Sequence, residues 1–252
     1  MQITPIKTRI FKENEDLPEF ILQYIKKIPK KNLENSILVV TSKIVALAEG
    51  RTVEYKNKAE KVKLIKQESD LAIKTKLVWL TIKDGMVMAS AGIDESNANG
   101  KLILLPKDSF DSADFIRNKL KKIFKIKNFG VLITDSRIFP LRSGVVGVAL
   151  GYAGFQGIKN YIGEKDIFGR VLKMSKTDVA DSLATAAVLC MGEGKETQPL
   201  ALINKPPVKF TKKTNRQELI INIKDDLYLP LFGSLPGSKI LQKTSLRGIF
   251  NR

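Results

Sequence analysis

The residues best suited to chemistry follow an apolar run near the middle of the chain. Asp135, Ser136, Arg137 and Arg142 come after Val131-Leu132-Ile133. Such a run predicts a buried strand, and polar residues at the end of a strand often carry chemistry in sheet-containing folds. A carboxylate, a hydroxyl and two guanidiniums together suit a divalent metal ion and an anionic ligand. We therefore expect a binding site at this strand end.

Two other stretches place acidic side chains on loops that contain glycine. Asp94 and Asn97 follow the apolar-rich Met86-Val87-Met88-Ala89, and Glu193 lies between two glycines. Taken alone, the first stretch is more typical of an Asx-type turn than of a metal site. Three carboxylates on separate segments, counting Asp135, are nevertheless what a two-metal site that handles phosphate requires.

The elements that must position these residues can be read from hydrophobic periodicity. Residues 37–40 predict a strand, and an apolar helical face then runs from Ile44 to Gly50, which is a suitable C-terminal cap. Ser42 and Lys43 would lie at the start of this helix, where free N–H groups attract phosphate. The stretch is not a P-loop, so a structural capping role is the alternative reading.

Helical spacing also predicts an amphipathic helix over residues 111–127 and a second helix over 177–191. Strands are predicted at 200–203 and 219–223, and residues 234–252 are expected to form a loosely ordered tail. Strands and helices alternate without a regular period. We therefore predict an α+β (mixed α/β) fold.

Composition narrows the function. The 252 residues include 43 Lys and Arg against 26 Asp and Glu, a formal charge of +17. This charge is compatible with nucleic acid or a polyanionic small molecule, but a general lysine bias explains it as well. Aromatic residues make up 7% of the chain and do not alternate with basic ones, which disfavours a nucleic-acid-binding module.

The chain contains one cysteine, Cys190, and no histidine. These counts exclude an intramolecular disulfide, Ser-His-Asp hydrolysis and histidine-ligated metals, so any metal must be held by oxygen atoms. Oxygen ligands favour Mg²⁺ or Mn²⁺ over Zn²⁺. No run is long and apolar enough for a membrane span, and the first residues lack signal-peptide features, so we expect a cytoplasmic protein without membrane contact.

Several motifs occur together, in order, over residues 5–203: Val40-Thr41-Ser42-Lys43-Ile44-Val45, Ala48-Glu49-Gly50-Arg51, Ser90-Ala91-Gly92-Ile93-Asp94-Glu95-Ser96-Asn97, Ile133-Thr134-Asp135-Ser136, Arg142-Ser143-Gly144, Asp166-Ile167-Phe168-Gly169-Arg170, Val179-Ala180-Asp181 and Met191-Gly192-Glu193-Gly194. Through them the chain resembles the coenzyme F420:gamma-glutamyl ligases and their folate-type relatives. The resemblance implies a two-lobed mixed-sheet fold and an intertwined homodimer. It also implies a ligase domain over 1–207 and an accessory or partly disordered C-terminal extension over 208–252.

The activity implied by this resemblance is the joining of L-glutamate to a carboxylate of a deazaflavin or folate acceptor, with GTP or ATP and Mg²⁺ or Mn²⁺. Asp94 and Asp135 match one metal site of the family, whereas Ser136 and Glu193 match a second. The matching nucleotide contacts are Arg9, Ile10, Phe11, Ser42, Lys43, Asn97, Met191, Gly192, Gly194 and Lys195. Asp135 and Arg142 are the predicted catalytic residues.

Two departures from the family pattern bear on the substrates. Ala46-Leu47-Ala48-Glu49-Gly50 lacks the lysine that some relatives have, which weakens the prediction of GTP over ATP. Ile203-Asn204-Lys205 replaces an Arg-Gly pair and favours the folate-type branch. Two rival hypotheses remain, a basic nucleic-acid-binding protein and a relative of the ligases that has lost activity.

Overall fold

The computed structural model describes residues 1–233, which divide into two compact units. Unit 1 comprises Met1–Arg51 and Pro106–Leu219, and unit 2 comprises Thr52–Leu105 with the described residues 220–233. The tail predicted over residues 234–252 lies outside the described residues. No helix within residues 1–233 is long and apolar enough to cross a membrane.

The strands are β1 (Gln2–Ile6), β2 (Ser36–Thr41), β3 (Thr52–Val53), β4 (Leu71–Lys74), β5 (Trp79–Lys83), β6 (Met86–Ala89), β7 (Leu102–Ile103), β8 (Phe129–Arg137), β9 (Val146–Ala153), β10 (Ile158–Asn160), β11 (Lys176–Asp178) and β12 (Leu200–Asn204). The α-helices are α1 (Leu17–Ile25), α2 (Lys30–Leu33), α3 (Ser42–Ala48), α4 (Lys58–Gln67), α5 (Ser109–Phe124), α6 (Val179–Met191) and α7 (Leu229–Gly233). The mixture confirms the predicted mixed α/β fold class.

Unit 1 is built on a five-stranded sheet with the order β1-β12-β2-β8-β9. Only β2 and β8 run parallel among these neighbours. Thr41, the last residue of β2, pairs with Thr134, which lies three residues before the end of β8. Because parallel strands end at the same edge of a sheet, the residues that follow β2 lie beside the last residues of β8. This pairing places Ser42 next to Asp135.

Helix α6 covers one face of this sheet and supplies much of the unit 1 core. Its contribution is the small and apolar set Ala180, Leu183, Ala184, Ala187 and Met191, all of them buried. The helix approaches β9 closely at Gly147, where an added Cβ would lie 2.5 Å from the carbonyl oxygen of Ala184. Only glycine therefore allows α6 to lie this near the strand that pairs with β8.

The predicted helices at 111–127 and 177–191 and the strand at 200–203 are confirmed as α5, α6 and β12. The strand predicted at 219–223 is wrong. There the side chain of Asn222 accepts a hydrogen bond from the N–H of Lys224 at 3.0 Å, and the chain turns into a short 3₁₀ helix, Ile223–Asp225. Asparagine favours such local turns over a strand ladder.

The segment that follows β12 is part of unit 1. Val208, Phe210 and Leu219 pack against the buried core, and Glu218 accepts hydrogen bonds from the Tyr152 hydroxyl and the Gly157 N–H, each at 2.7 Å. The first dozen residues of the predicted C-terminal extension are thus fastened to the sheet by apolar contacts and by a carboxylate.

Unit 2 contains the antiparallel sheet β4-β5-β6, the short pair β3-β7 and helix α4 around a small core. Ser90 and Ala91, which follow β6, both have positive φ values, 50° and 57°. The buried hydroxyl of Thr81 stabilises this turn, since it accepts a hydrogen bond from the Ala91 N–H and donates one to the Met88 carbonyl. The turn leads into the segment that carries Asp94.

Candidate active site

Three members of the polar cluster predicted to follow a strand, Asp135, Ser136 and Arg137, lie within the strand itself. β8 continues to Arg137, because β9 pairs with it as far as Val146, with a register irregularity between Ile133 and Thr134. The expectation of a loop position for Asp135 is therefore wrong. Residues on a paired strand are held more rigidly than loop residues, which suits a site that must present fixed ligands.

Asp135 is held on both of its carboxylate oxygens. Oδ1 accepts a hydrogen bond of 3.3 Å from the Ser42 hydroxyl, and Oδ2 forms an ion pair with Nη1 of Arg137. The side chain of Asp135 is 26% exposed, whereas that of Arg137 is 8% exposed. A carboxylate can accept about four hydrogen bonds or metal bonds in total, so these two contacts leave lone pairs directed elsewhere.

Ser136, the next residue of β8, contacts a different acidic residue. Its hydroxyl donates a hydrogen bond of 2.6 Å to Oε1 of Glu193, which lies on the exposed turn after α6. Successive residues on a strand point to opposite faces of the sheet, so Asp135 and Ser136 point away from each other. The contacts agree, because Asp135 meets Ser42 while Ser136 meets Glu193. Asp135 and the pair Ser136 with Glu193 therefore lie on different faces of β8.

The turn that carries Glu193 depends on glycine. Gly192 ends α6 with φ +84°, and an added Cβ would lie 2.5 Å from the Glu196 carboxyl carbon. Glu196 in turn accepts a hydrogen bond of 2.8 Å from the Gly194 N–H. Lys195 is exposed on the same turn, whereas the Met191 side chain is buried, so only backbone atoms of Met191 could reach a nucleotide.

Ser42 and Lys43 lie at the first turn of α3, as predicted. Ser42 is buried and its hydroxyl is used by Asp135, so the residue serves the Asp135 carboxylate as well as the helix start. Gly50 follows α3 with φ 64°, which confirms it as the C-terminal cap.

The N-terminal segment predicted to contact a nucleotide also lies in unit 1. Arg9 forms an ion pair with Glu15 and stacks over the ring of Phe20, with 4.9 Å between the guanidinium carbon and the ring centre. The hydrogen bond from Arg9 lowers the pKa of Glu15 to about 2. Phe11 is a core residue, whereas Ile10 is exposed. Arg9 and Ile10 therefore remain the side chains of this segment that a ligand could reach.

Asp94 and Asn97 lie in unit 2. The carboxylate of Asp94 accepts hydrogen bonds from the N–H and the hydroxyl of Ser96, at 2.7 and 2.9 Å, which is the Asx-type turn that the sequence left as an alternative. Asn97 is exposed and has φ 52°. The assignments of Asp94 as a metal ligand and of Asn97 as a nucleotide contact stay predictions.

Arg142 lies on the exposed segment between β8 and β9, where its N–H donates to the carbonyl oxygen of Phe139 at 3.3 Å. Arg170 lies on another exposed loop, which is shaped by Asp166. That carboxylate accepts hydrogen bonds from the N–H groups of Phe168 and Arg170. The exposure of Arg142 leaves its guanidinium accessible to an anionic ligand, as its predicted catalytic role requires.

Two half-buried carboxyl groups at the start of α6, those of Asp178 and Asp181, were given no role from the sequence. Burial raises the pKa of Asp178 to about 6, and burial also raises the pKa of Asp181, although the Ala149 N–H and the charge of Arg137 oppose this second shift. Asp178 caps the helix by accepting a hydrogen bond from the Asp181 N–H at 2.9 Å. The position of Asp178 just before an apolar helical pattern is a signal that could have identified the cap.

The oxygen atoms in unit 1 fit a hard divalent cation. Residues 1–233 contain no group of three or more His, Cys, Asp or Glu side chains that could hold a metal by themselves. Mg²⁺ is usually held by one or two protein carboxylates together with substrate phosphates, so Asp135 on one face and Glu193 with Ser136 on the other are adequate donors. Phosphate oxygens would supply the remaining ligands.

Comparison with known proteins identifies the family of the chain. A family model described as F420-0:Gamma-glutamyl ligase matches residues 5–205. A coenzyme F420:L-glutamate ligase of Methanococcus maripaludis strain C7 is 33% identical over 246 residues, covering 90% of this chain and 97% of that protein. The corresponding ligase of Methanocaldococcus jannaschii is 31% identical, covering 90% and 96%, and that of Archaeoglobus fulgidus is 32% identical, covering 77% and 83%.

The family model spans most of the chain and the relatives span most of their own length. The chain therefore belongs to the F420-0:gamma-glutamyl ligase family, a family of ligases. All the predicted site residues lie within the matched stretch.

Proposed function

We propose that this protein is a metal- and nucleotide-dependent gamma-glutamyl ligase that joins the amine of L-glutamate to a carboxylate of a deazaflavin acceptor of the F420 type. One observation carries the proposal: Asp135 is held on both oxygens by Ser42 and Arg137 at the carboxyl end of β8, inside the stretch that matches the family. A fixed carboxylate at the sheet edge is the group that phosphate chemistry with a divalent cation needs.

The reaction must be driven by phosphoryl transfer, because forming an amide from a carboxylate is uphill in water. The acceptor carboxylate oxygen attacks the terminal phosphorus of GTP or ATP, and the bond to the leaving nucleoside diphosphate breaks. The amine nitrogen of glutamate then attacks the acyl carbon, and phosphate leaves. Such transfers depend mainly on positioning and on charge neutralisation.

Mg²⁺ or Mn²⁺ would neutralise charge on the phosphate oxygens. Asp135 would hold one ion, and Glu193 with Ser136 would hold the second from the other face of β8. Asp94 remains a proposed ligand from unit 2. Arg142, exposed next to the end of β8, would bind an anionic group of the substrates through its guanidinium fork.

Nucleotide binding is proposed for the start of α3, with Ser42 and Lys43, for Arg9 and Ile10, and for the turn with Gly194 and Lys195. Asn97 is a further proposed contact. Since the chain has no histidine, the proton of the glutamate amine passes to an acidic side chain or to the departing phosphate. The formal charge of +17 favours substrates that carry several negative charges.

A folate acceptor is the second candidate, and the observation that favours it is the sequence Ile203-Asn204-Lys205 after β12. The three relatives described above are named for coenzyme F420, which supports the deazaflavin acceptor as the first choice. The family resemblance also supports a homodimer, and a cytoplasmic location remains proposed from the sequence.

The proposal is tested by reconstitution with purified protein. Phosphate and nucleoside diphosphate should form only when acceptor, L-glutamate, nucleotide and Mg²⁺ or Mn²⁺ are all present, and omitting any one should reduce release to background. GTP and ATP are compared side by side, with a deazaflavin and a folate acceptor in parallel. Equal phosphate release without acceptor or glutamate would instead indicate simple nucleotide hydrolysis.

A further inference from the structure

Arg137 is an unusual residue at the end of a strand because its guanidinium is buried. The residue is 7% exposed overall. Its Nη1 contacts the Asp135 carboxylate and donates a hydrogen bond of 3.0 Å to the Ser136 carbonyl oxygen. Asp135 and Arg137 are two positions apart on β8, so both side chains extend from the same face of the sheet.

The rest of the guanidinium is poorly satisfied. Among residues 1–233, Nε and Nη2 of Arg137 are buried and have no hydrogen-bond acceptor. Buried donors without acceptors cost free energy, and a guanidinium cannot lose its charge to reduce that cost. A protein keeps such a group where it serves a function.

Nε and Nη2 cannot contact a ligand from solution, because solvent does not reach them, and Nη1 is already used by Asp135 and the Ser136 carbonyl oxygen. Arg137 must therefore act through the group that it touches, which is the carboxylate of Asp135. The Arg137 contact uses one oxygen of Asp135 and the Ser42 hydroxyl uses the other, so the plane of the carboxylate is fixed while lone pairs remain for another ligand.

We infer that Arg137 is a positioning residue, which orients Asp135 for a divalent cation and does not itself contact substrate. This inference rests on the proposed function, in which Asp135 is a metal ligand. Residues that hydrogen-bond to metal ligands orient them, and their loss typically weakens metal affinity or activity by about 10- to 100-fold. The opposite effect is equally measurable, since a guanidinium that only competed with the cation would weaken binding, and its removal would tighten it.

The experiment is a titration of the protein with Mn²⁺, followed by electron paramagnetic resonance of the unbound ion, with and without nucleotide. Arg137→Gln should weaken Mn²⁺ affinity by about 10- to 100-fold. Arg137→Lys retains one charged donor that can pair with Asp135, and it should recover part of the loss. Steady-state kinetics should show the same order, with a lower kcat at saturating glutamate and acceptor.

Arg117 provides a matched control. It is also a buried arginine of unit 1, 5% exposed, but its guanidinium donates to the carbonyl oxygens of Phe129 and Thr211. Arg117→Gln should reduce thermal stability without changing Mn²⁺ affinity in the folded protein. Circular dichroism establishes folding for each variant, and Arg137→Lys carries the test if Arg137→Gln does not fold.

The outcomes separate this inference from the proposed function. If Asp135→Asn loses Mn²⁺ affinity while Arg137→Gln and Arg137→Lys bind as tightly as the wild type or more tightly, the positioning role is wrong and the metal site stands. If Asp135→Asn binds Mn²⁺ normally, the assignment of Asp135 as a metal ligand fails first.

Discussion

Asp135 and Glu193 are two carboxylates of unit 1 that belong to the same proposed site but are supported very differently. Asp135 lies on a central strand, is largely buried, and has both oxygens held by Ser42 and Arg137. Glu193 lies on an exposed turn, and the hydroxyl of Ser136 donates to one of its oxygens. The carboxylate of Asp135 is thus fixed by the sheet, whereas that of Glu193 depends on the turn at the end of α6.

This difference in support bears on how strongly activity should depend on each carboxylate. A carboxylate with a rigid frame can hold a cation in a fixed position, and a charge that is fixed in advance stabilises a transition state without rearranging. A carboxylate on an exposed turn must be ordered when the ligand binds, so part of its contribution is lost to that ordering. We therefore expect the reaction to depend more on Asp135 than on Glu193.

The largest effect is expected for Asp135→Asn. The amide keeps the size of the side chain and can still accept from Ser42, but it removes the negative charge. The kcat for acceptor-dependent phosphate release should fall by about 10²- to 10³-fold, the loss typical of removing one electrostatic stabiliser. Asp114→Asn, at an exposed position on α5, is the control and should retain full activity.

A smaller effect is expected for Glu193→Gln. The Ser136 hydroxyl can still donate to the amide oxygen, so the turn stays in place while a charge is lost. Activity should fall by about 10- to 100-fold, and the concentration of Mn²⁺ needed for half-maximal activity should rise. Glu164→Gln, in an exposed loop of unit 1, is the matched control. A loss larger than that of Asp135→Asn would reverse the comparison.

The smallest effect concerns the stability of α6, the helix that precedes Glu193. The pKa of Asp178, at the start of α6, is raised by burial from 3.8 to about 6. A carboxyl with a raised pKa binds its proton more tightly in the folded state, so the free energy of unfolding falls as pH rises through this interval. In Asp178→Asn the side-chain oxygen still accepts the capping hydrogen bond, but the group no longer titrates. The contribution of Asp178 to the fall in the free energy of unfolding should therefore disappear.

Thermal melting of both proteins at several pH values between 3.8 and about 6 measures that difference. Asp16→Asn is the control, because Asp16 caps α1 with the same type of hydrogen bond at an exposed position. If the melting temperatures of the wild type and of Asp178→Asn change with pH in the same way, Asp178 does not titrate in this range.

Much of the site could be predicted because its parts are local patterns. The strand before Ser42, the glycine-bounded turn at Glu193 and the cap at Gly50 each depend on neighbouring residues, and each is found as predicted. The contact between Ser42 and Asp135 joins residues 93 positions apart. It follows from the parallel pairing of β2 with β8, and that pairing is a tertiary choice that periodicity does not encode.

The errors have equally specific causes. The sequence predicts a loop position for Asp135 because the apolar run ends at Ile133. In the structure β8 continues to Arg137, because β9 pairs with it that far. The apolar residues at 219–221 resemble a strand, but the local turn at Asn222 takes the chain elsewhere. The nucleotide contacts predicted for Phe11 and Met191 stay predictions, and because both side chains are buried, as their apolar character favours, such contacts would use backbone atoms.

The central claim is that this chain forms a gamma-glutamyl amide. Mass spectrometry of the acceptor after complete reconstitution tests it most directly. We expect the deazaflavin acceptor to gain the mass of a glutamyl residue with the wild-type protein and almost none with Asp135→Asn, and fragmentation should place the new bond on the acceptor carboxylate. Nucleotide consumption with no glutamyl product on either the deazaflavin or the folate acceptor would contradict it.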